Sequence, residues 1–375
     1  MSAMNATKTL PASWFTSPNL YNLEIRAVFH KAWYLIGPIS RFASDSIIDY
    51  EIAGVALRVT HHGDETFTVT RSFDDLALAH YLTPTGLLFS TISPAAEPFE
   101  TWFPPSLLPL LNKHDFRRLP HQRSLKYPGK FNWKTMVDGY QECLHCQYTH
   151  RSFSVKYPPT FYEVHNHDTY SRHIADPTKP DDGLFLYFFP ICTLNLYGGG
   201  MSSFRVCPGN GEAKVGETRM EFDYYYDDGK GGTEGFEEYF KFVRRVAMED
   251  FELCETAQKN LERGVYSQGC FNGEKESGVL RKFAIILCLS SVDYVCLLPT
   301  YGKRLGSADL EIILRGNADD VLFFLFLDYQ QLTRKMVAEQ FKKDEEERTQ
   351  LVPVENHQSV PMNRDGGGEQ VTASA

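Results

Sequence analysis

A carboxylate set on an apolar helical stripe constrains this 375-residue chain more than any other feature. Phe236, Phe240, Val243, Ala247, Cys254, Ala257 and Leu261 recur at helical spacing, and Asp250 stands on their stripe. A carboxylate carried into a core is costly unless it is paired with a cation or bound to a metal. Arg244 or Arg245 could pair it, and Glu249 is a neighbouring carboxylate that faces further from the stripe. The metal reading draws on a second segment, DGYQECLHCQYTH at residues 138–150. Two imidazoles and one carboxylate form the ligand set of mononuclear non-haem iron, with positions left open for dioxygen and substrate. His145, His150 and Asp250 are the candidates.

The helical pattern begins at Asn132, where Trp133, Met136, Val137, Tyr140 and Leu144 share one face. Asp138, Glu142 and His145 are spaced i, i+4 and i+7 and share a stripe beside it. His150 lies five residues beyond His145, and a regular helix would rotate the two rings apart. A wide turn or a helix end brings them together, and irregularities of this kind favour functional sites. The competing reading is an ordinary surface helix with two incidental histidines.

Net charge of −10 argues against DNA or RNA as partner, since phosphate contacts need clustered Lys and Arg. The first fifteen residues show no secretory or mitochondrial signal. The longest apolar stretch, 283–298, is interrupted by Ser290, Ser291 and Asp293 and is too short to span a bilayer, so no membrane partner is expected. Eight cysteines in a chain of this length make no disulfide scaffold, and a reducing, cytoplasmic setting is the default. Cys143 and Cys146 spell Cys-x2-Cys. A zinc site there lacks its paired half, a thioredoxin-like role lacks a βαβ context, and buried small hydrophobes are the simpler reading.

The chain divides into a disordered lead-in (1–20), a β-rich region (21–95), a proline-marked irregular linker (96–131), a domain of antiparallel sheet and long helices (132–341) and a disordered tail (342–375). Residues 184–207 and 217–226 read as strands, and 234–263 as a long helix stopped by Gly264. This is an α+β fold. The β-prone segment 280–326 has no place in the plan and reads as an atypical insertion.

Asn132-Trp133-Lys134, followed by Asp138, Glu142, His145 and His150, resembles the catalytic domain of Rieske non-haem iron oxygenases, in which carboxylate-x2-His-x4-His is a signature. EDFELCETAQKNL at 249–261 resembles the segment that supplies the third ligand, and PICTLNLY at 190–197 resembles the choline monooxygenase-like branch. The resemblance covers about residues 22–60 and 86–279, with a weak return at 329–341. It implies a helix-grip (START-like) catalytic domain after a truncated Rieske-like β domain. It also implies Fe(II) on His145, His150 and Asp250, Glu142 as the acidic bridge for electrons or protons, and a supporting role behind the ligands for Asp138, which stands where the family often has Asn. Further implications are dioxygen and a small-molecule substrate, a ferredoxin or reductase as electron donor, and a homo-trimer. Choline or another quaternary ammonium, oxidised to betaine aldehyde in glycine betaine synthesis, is the implied substrate. An aromatic cage from Phe185, Tyr187, Phe188, Phe189, Tyr197 and Tyr224–Tyr226 could hold it, although most of these are expected in the core. A secondary metabolite is an alternative substrate, and a ligand-binding or inactive helix-grip protein is an alternative function.

The resemblance fails at one point. A Rieske [2Fe–2S] centre takes two Cys and two His, and no cysteine precedes Cys143. The cluster expected of the family therefore lacks its ligands here. A gene-model error that lost the cluster loops and retained 280–326 is one explanation, which sequencing the transcript would test.

Overall fold

A computed structural model describes residues 9–142, 144–158, 162–180, 182–210, 214–227, 234–270 and 329–351. The expected insertion at 280–326 lies outside them. The helices α1 (Ser13–Thr16) and α2 (Pro18–Ala27) open the chain, with the Ser17 side chain accepting from the Leu20 amide and Pro18 in the first turn. The N-terminal β region follows as β1 (Trp33–Pro38), β2 (Ile47–Ile52), β3 (Val55–His61), β4 (Phe67–Arg71), β5 (Leu76–Ala77), β6 (His80–Leu82) and β7 (Leu87–Thr91). These strands form two small open sheets, in the orders β2-β3-β4-β5 and β1-β7-β6.

Two short helices, α3 (Phe99–Trp102) and α4 (Leu107–Leu111), lead to β8 (His121–Gly129). The stretch 96–131 is thus not an irregular linker. The prolines end short elements rather than abolish them, and Phe99, Phe103, Leu107, Leu111 and Phe116 are all core residues. Next come α5 (Trp133–Tyr140), α6 (Cys146–Thr149) and α7 (Arg151–Lys156), then β9 (Glu163–Asn166), β10 (Tyr170–Ile174), β11 (Leu184–Phe188), β12 (Cys192–Tyr197), β13 (Gly200–Pro208) and β14 (Thr218–Tyr226). The last two helices are α8 (Glu234–Glu262) and α9 (Tyr329–Leu351).

Strands β8 to β14 make one antiparallel seven-stranded sheet, ordered β8-β14-β13-β12-β11-β10-β9. Its two faces do different work, because side chains alternate along each strand. Phe185 pairs across strands with Asn195, Asn195 with Ser202, and Phe204 with Phe222. This register aligns those side chains on the face gripped by α5 and α8. Gly200 allows the close approach: a Cβ there would come within 2.8 Å of both Tyr226 and Tyr239. The opposite face carries Arg205, Glu221 and Asp223, all buried. Arg205 donates to Glu221 and Asp223 and also to the carbonyls of Leu35 and Ile36, tying β1 to the back of the large sheet. Buried charge is tolerated there because each group has partners.

The ends of the chain are more ordered than the composition suggests. Leu10 and Phe15 are buried, so the lead-in is not wholly unstructured. Helix α9 continues to Leu351, into the charge run expected to be tail, and it packs Thr333, Met336 and Val337 inward while Asp344 pairs with Arg26 of α2 at 2.7 Å. Gly264 ends α8 with φ +69°, the conformation for which glycine has no steric penalty.

Candidate metal centre and cavity

The helical pattern that begins at Asn132 is interrupted before His145. Asn132 caps α5 by accepting from the Lys134 amide, its own amide donates to Gln258 on α8, and its Nδ2 donates to the Val215 carbonyl. Beneath this turn the Lys134 ammonium is fully buried on Glu24 of α2, 2.8 Å from both carboxylate oxygens, and Trp133 Nε1 donates to Glu24 at 3.0 Å. The helix then stops at Tyr140. The turn that follows lets His145 and His150 face one point, as the five-residue spacing requires.

That point faces Asp250. His145 Nε2 lies 3.2 Å from His150 Nε2, and Asp250 Oδ1 lies 3.3 Å from the first and 2.8 Å from the second. Among the described residues these three are the group of His, Cys, Asp and Glu side chains whose ligand atoms converge, all within 4.8 Å. The other ring nitrogens are tied back by carboxylates: His145 Nδ1 to Glu142, and His150 Nδ1 to Glu249 Oε2 at 2.8 Å. Such outer contacts fix ring orientation and direct Nε2 at the metal position. Burial disfavours a charged His145 ring, but Asp250 and Glu142 outweigh it and raise its pKa to about 10. His150 is raised in the same way, and Asp250 is held low by both rings against the cost of burial. A divalent cation on the two Nε2 atoms and Oδ1 would supply the positive charge that protons otherwise provide. Arg244, a sequence candidate for pairing Asp250, donates instead to the Tyr127 hydroxyl.

The three side chains form part of the wall of a cavity of about 110 Å³ between the sheet, α5, α8 and the loop after α7. Phe185 and Tyr197 line it, as the proposed aromatic cage requires. Tyr187, Phe188, Phe189, Tyr224, Tyr225 and Tyr226 do not. Phe188 points to Phe89 and Phe103 on the other side of the sheet, and Tyr224 is covered by Phe240. The cavity takes its remaining aromatic surface from Tyr140, Phe153, Tyr162, Phe204 and Phe222, which composition alone could not single out. Glu142 and Asp250 also border a second recess of about 400 Å³, lined by Asp138, Thr135, Met136, Leu253 and Cys254. Asp138 therefore sits one turn before Glu142, away from the substrate side. Cys146 is disulfide-bonded, so it is not the free buried thiol expected at that position.

The chain matches the ring hydroxylating alpha subunit (catalytic domain) family over residues 116–178 and 170–284. The chain is similar to the α subunits of Rieske non-haem iron oxygenases. It is 24% identical to the carnitine monooxygenase oxygenase subunit of Escherichia coli (strain K12), over 70% of this chain and 86% of that protein. It is 22% identical to the chloroplastic choline monooxygenase of Beta vulgaris, over 41% of this chain and 36% of that one. In fold it is similar to the quaternary ammonium Rieske monooxygenase CntA in complex with L-carnitine, at TM-score 0.63 and 18% identity, covering 73% of this chain and 93% of that chain. Naphthalene 1,2-dioxygenase shares the fold at TM-score 0.54 and 11% identity, covering 68% of this chain and 80% of that chain.

The family uses a mononuclear iron and a Rieske cluster. The donor set of His145, His150 and Asp250 fits the first. Among the described residues nothing fits the second. The first 142 residues hold no cysteine. The connections of the N-terminal sheets are tight turns, with five residues between β3 and β4 and four between β6 and β7. His61 stacks on Phe67 and donates Nδ1–H to the Ala43 carbonyl, and His62 is bonded to Thr68. Among the described residues of this region no cluster-binding loop is present. No described helix is long and apolar enough to cross a membrane.

Proposed function

We propose that the chain is the oxygenase subunit of a quaternary ammonium monooxygenase, acting on choline or a compact relative. One observation carries this reading: the three-residue metal centre opens on an aromatic cavity that has no Lys or Arg among its described lining residues. Aromatic faces attract a trimethylammonium group by cation–π contact. A substrate with a carboxylate would find no cation to pair with, and burying it unpaired is costly. This favours choline over a zwitterion such as carnitine. The balanced reaction takes choline, dioxygen, two electrons and two protons to hydrated betaine aldehyde and water.

His145, His150 and Asp250 would hold Fe(II), which when bound supplies reductive activation of dioxygen beside the substrate. Glu142, which borders both the cavity and the second recess, fixes the His145 ring and is proposed as the acidic bridge, with Asp138 supporting it one turn earlier. Tyr197 and Phe185 would seat the cationic head. Electrons would come from a ferredoxin or reductase, since these residues cannot build a cluster of their own, and the family's homo-trimer is the proposed assembly.

The lack of cluster ligands supports a second reading, in which the chain binds iron and ligand without turnover. Anaerobically loaded protein incubated with choline, dioxygen and a ferredoxin–reductase pair separates the two. Betaine aldehyde in amounts above the iron present supports the first. Tight choline binding without product supports the second.

A further inference from the structure

His173 is a fully buried imidazole that the metal centre does not use, and its contacts dictate its tautomer. Ser171 Oγ donates its one proton to Asn166 Oδ1 at 2.7 Å, so Gln141 must donate Nε2–H to Ser171, at 3.0 Å. This turns Gln141 Oε1 toward His173, whose Nε2 lies 2.8 Å away and must carry the ring proton. Nδ1 is then bare, and it accepts from the Tyr162 hydroxyl at 2.8 Å. Burial drives the His173 pKa down to about 3, which keeps the ring neutral and this polarity fixed. Tyr162 lines the cavity beside the metal centre. With its own proton committed to His173, its oxygen can only accept.

We propose that Tyr162, oriented by His173 as a positioning residue, is a hydrogen-bond acceptor that selects a substrate bearing a hydroxyl group next to its cationic head. The inference rests on the quaternary ammonium reading and narrows it to amino alcohols. A hydroxyl proton directed at Tyr162 would hold the carbinol carbon in one orientation, while the aromatic walls hold the head group. A cation without the hydroxyl fills the same space and leaves the Tyr162 oxygen unpaired.

The test is isothermal titration of the full chain, loaded anaerobically with Fe(II), against choline and against ethyltrimethylammonium, which differ by that hydroxyl. The wild type should bind choline about 5- to 10-fold more tightly, the worth of one net hydrogen bond. Tyr162→Phe should bring the ratio near one, and a ratio that stays at the wild-type value overturns the proposal. Equal binding of both compounds by the wild type overturns this inference and leaves the head-group reading standing. Binding of neither overturns the head-group reading and this inference with it. Nitrogen-15 NMR of the wild-type ring checks the mechanism without any variant: the proton belongs on Nε2 of His173, and a proton on Nδ1 overturns the proposal.

Discussion

Replacing His173 with Gln should change how stability responds to acid, by an amount that the structure sets. An ordinary histidine titrates near 6.5, and burial lowers His173 to about 3 in the folded state. The unfolded chain therefore binds a proton below about pH 6.5 that the folded chain refuses. The sign follows directly: the contribution is fully present above 6.5 and is lost as pH falls toward the folded value. Between about pH 8 and about pH 5 the loss comes to roughly 2 kcal/mol, at about 1.36 kcal/mol per unit. The ring is only 2% exposed, so little of this is screened by solvent. His145 and His150 shift in the opposite direction, so the variant must be compared with wild type at each pH. Urea unfolding followed by tryptophan fluorescence, in chelator, gives both curves. His173→Gln should be less stable than wild type at about pH 8, because two buried hydrogen bonds are altered. That deficit should shrink by about 2 kcal/mol at about pH 5. A deficit constant to within about 0.5 kcal/mol would refute the buried, neutral imidazole, and with it the fixed polarity of Tyr162.

Other expectations follow from the same geometry. Lys134→Met leaves Glu24 buried without its cation and should cost about 3–5 kcal/mol in urea unfolding, much of it recovered in Lys134→Met with Glu24→Leu. Loss below about 1 kcal/mol in the single variant would mean the pair is not buried as described. Glu249→Gln keeps the fold but weakens the hold on the His150 ring, so iron affinity measured by chelator competition should fall about 10- to 100-fold. Tyr197→Leu removes an aromatic face from the cavity and should weaken choline binding by about 0.5–2 kcal/mol, read by titration. An unchanged affinity would place the head group elsewhere.

Much of the convergence of His145, His150 and Asp250 was legible because helices keep registers. Asp250 on the Phe236–Leu261 stripe, and Glu142 and His145 a turn apart, are one-dimensional patterns with three-dimensional consequences. The break after Tyr140 was not legible as a place, only as a need created by the His145–His150 spacing. Glu249 was weighed as a rival ligand to Asp250, and only the structure shows it holding the far side of His150. The cavity was read poorly for a plain reason. Phe185 and Tyr187 alternate correctly for one face, yet only the sheet register and the cover of α8 decide which aromatic meets open space. Tyr162, Phe204 and Phe222 come from three different strands or loops and meet only through long-range pairing. His173 and Gln141 carry no local signal at all, since a buried histidine in a strand looks like any other. The stretch 96–131 misled because prolines suggest irregularity, whereas His121–Gly129 is a strand completed by its pairing with β14.

Metal content of the purified chain tests the central claim most directly. After anaerobic loading with Fe(II) and desalting, the wild type should hold about one iron per chain and no acid-labile sulfide. His145→Ala, His150→Ala and Asp250→Ala should each lose most of that iron while keeping their helical circular dichroism. Full iron retention in folded triad variants would contradict the site, and sulfide with two further irons in the wild type would contradict the account of the N-terminal region.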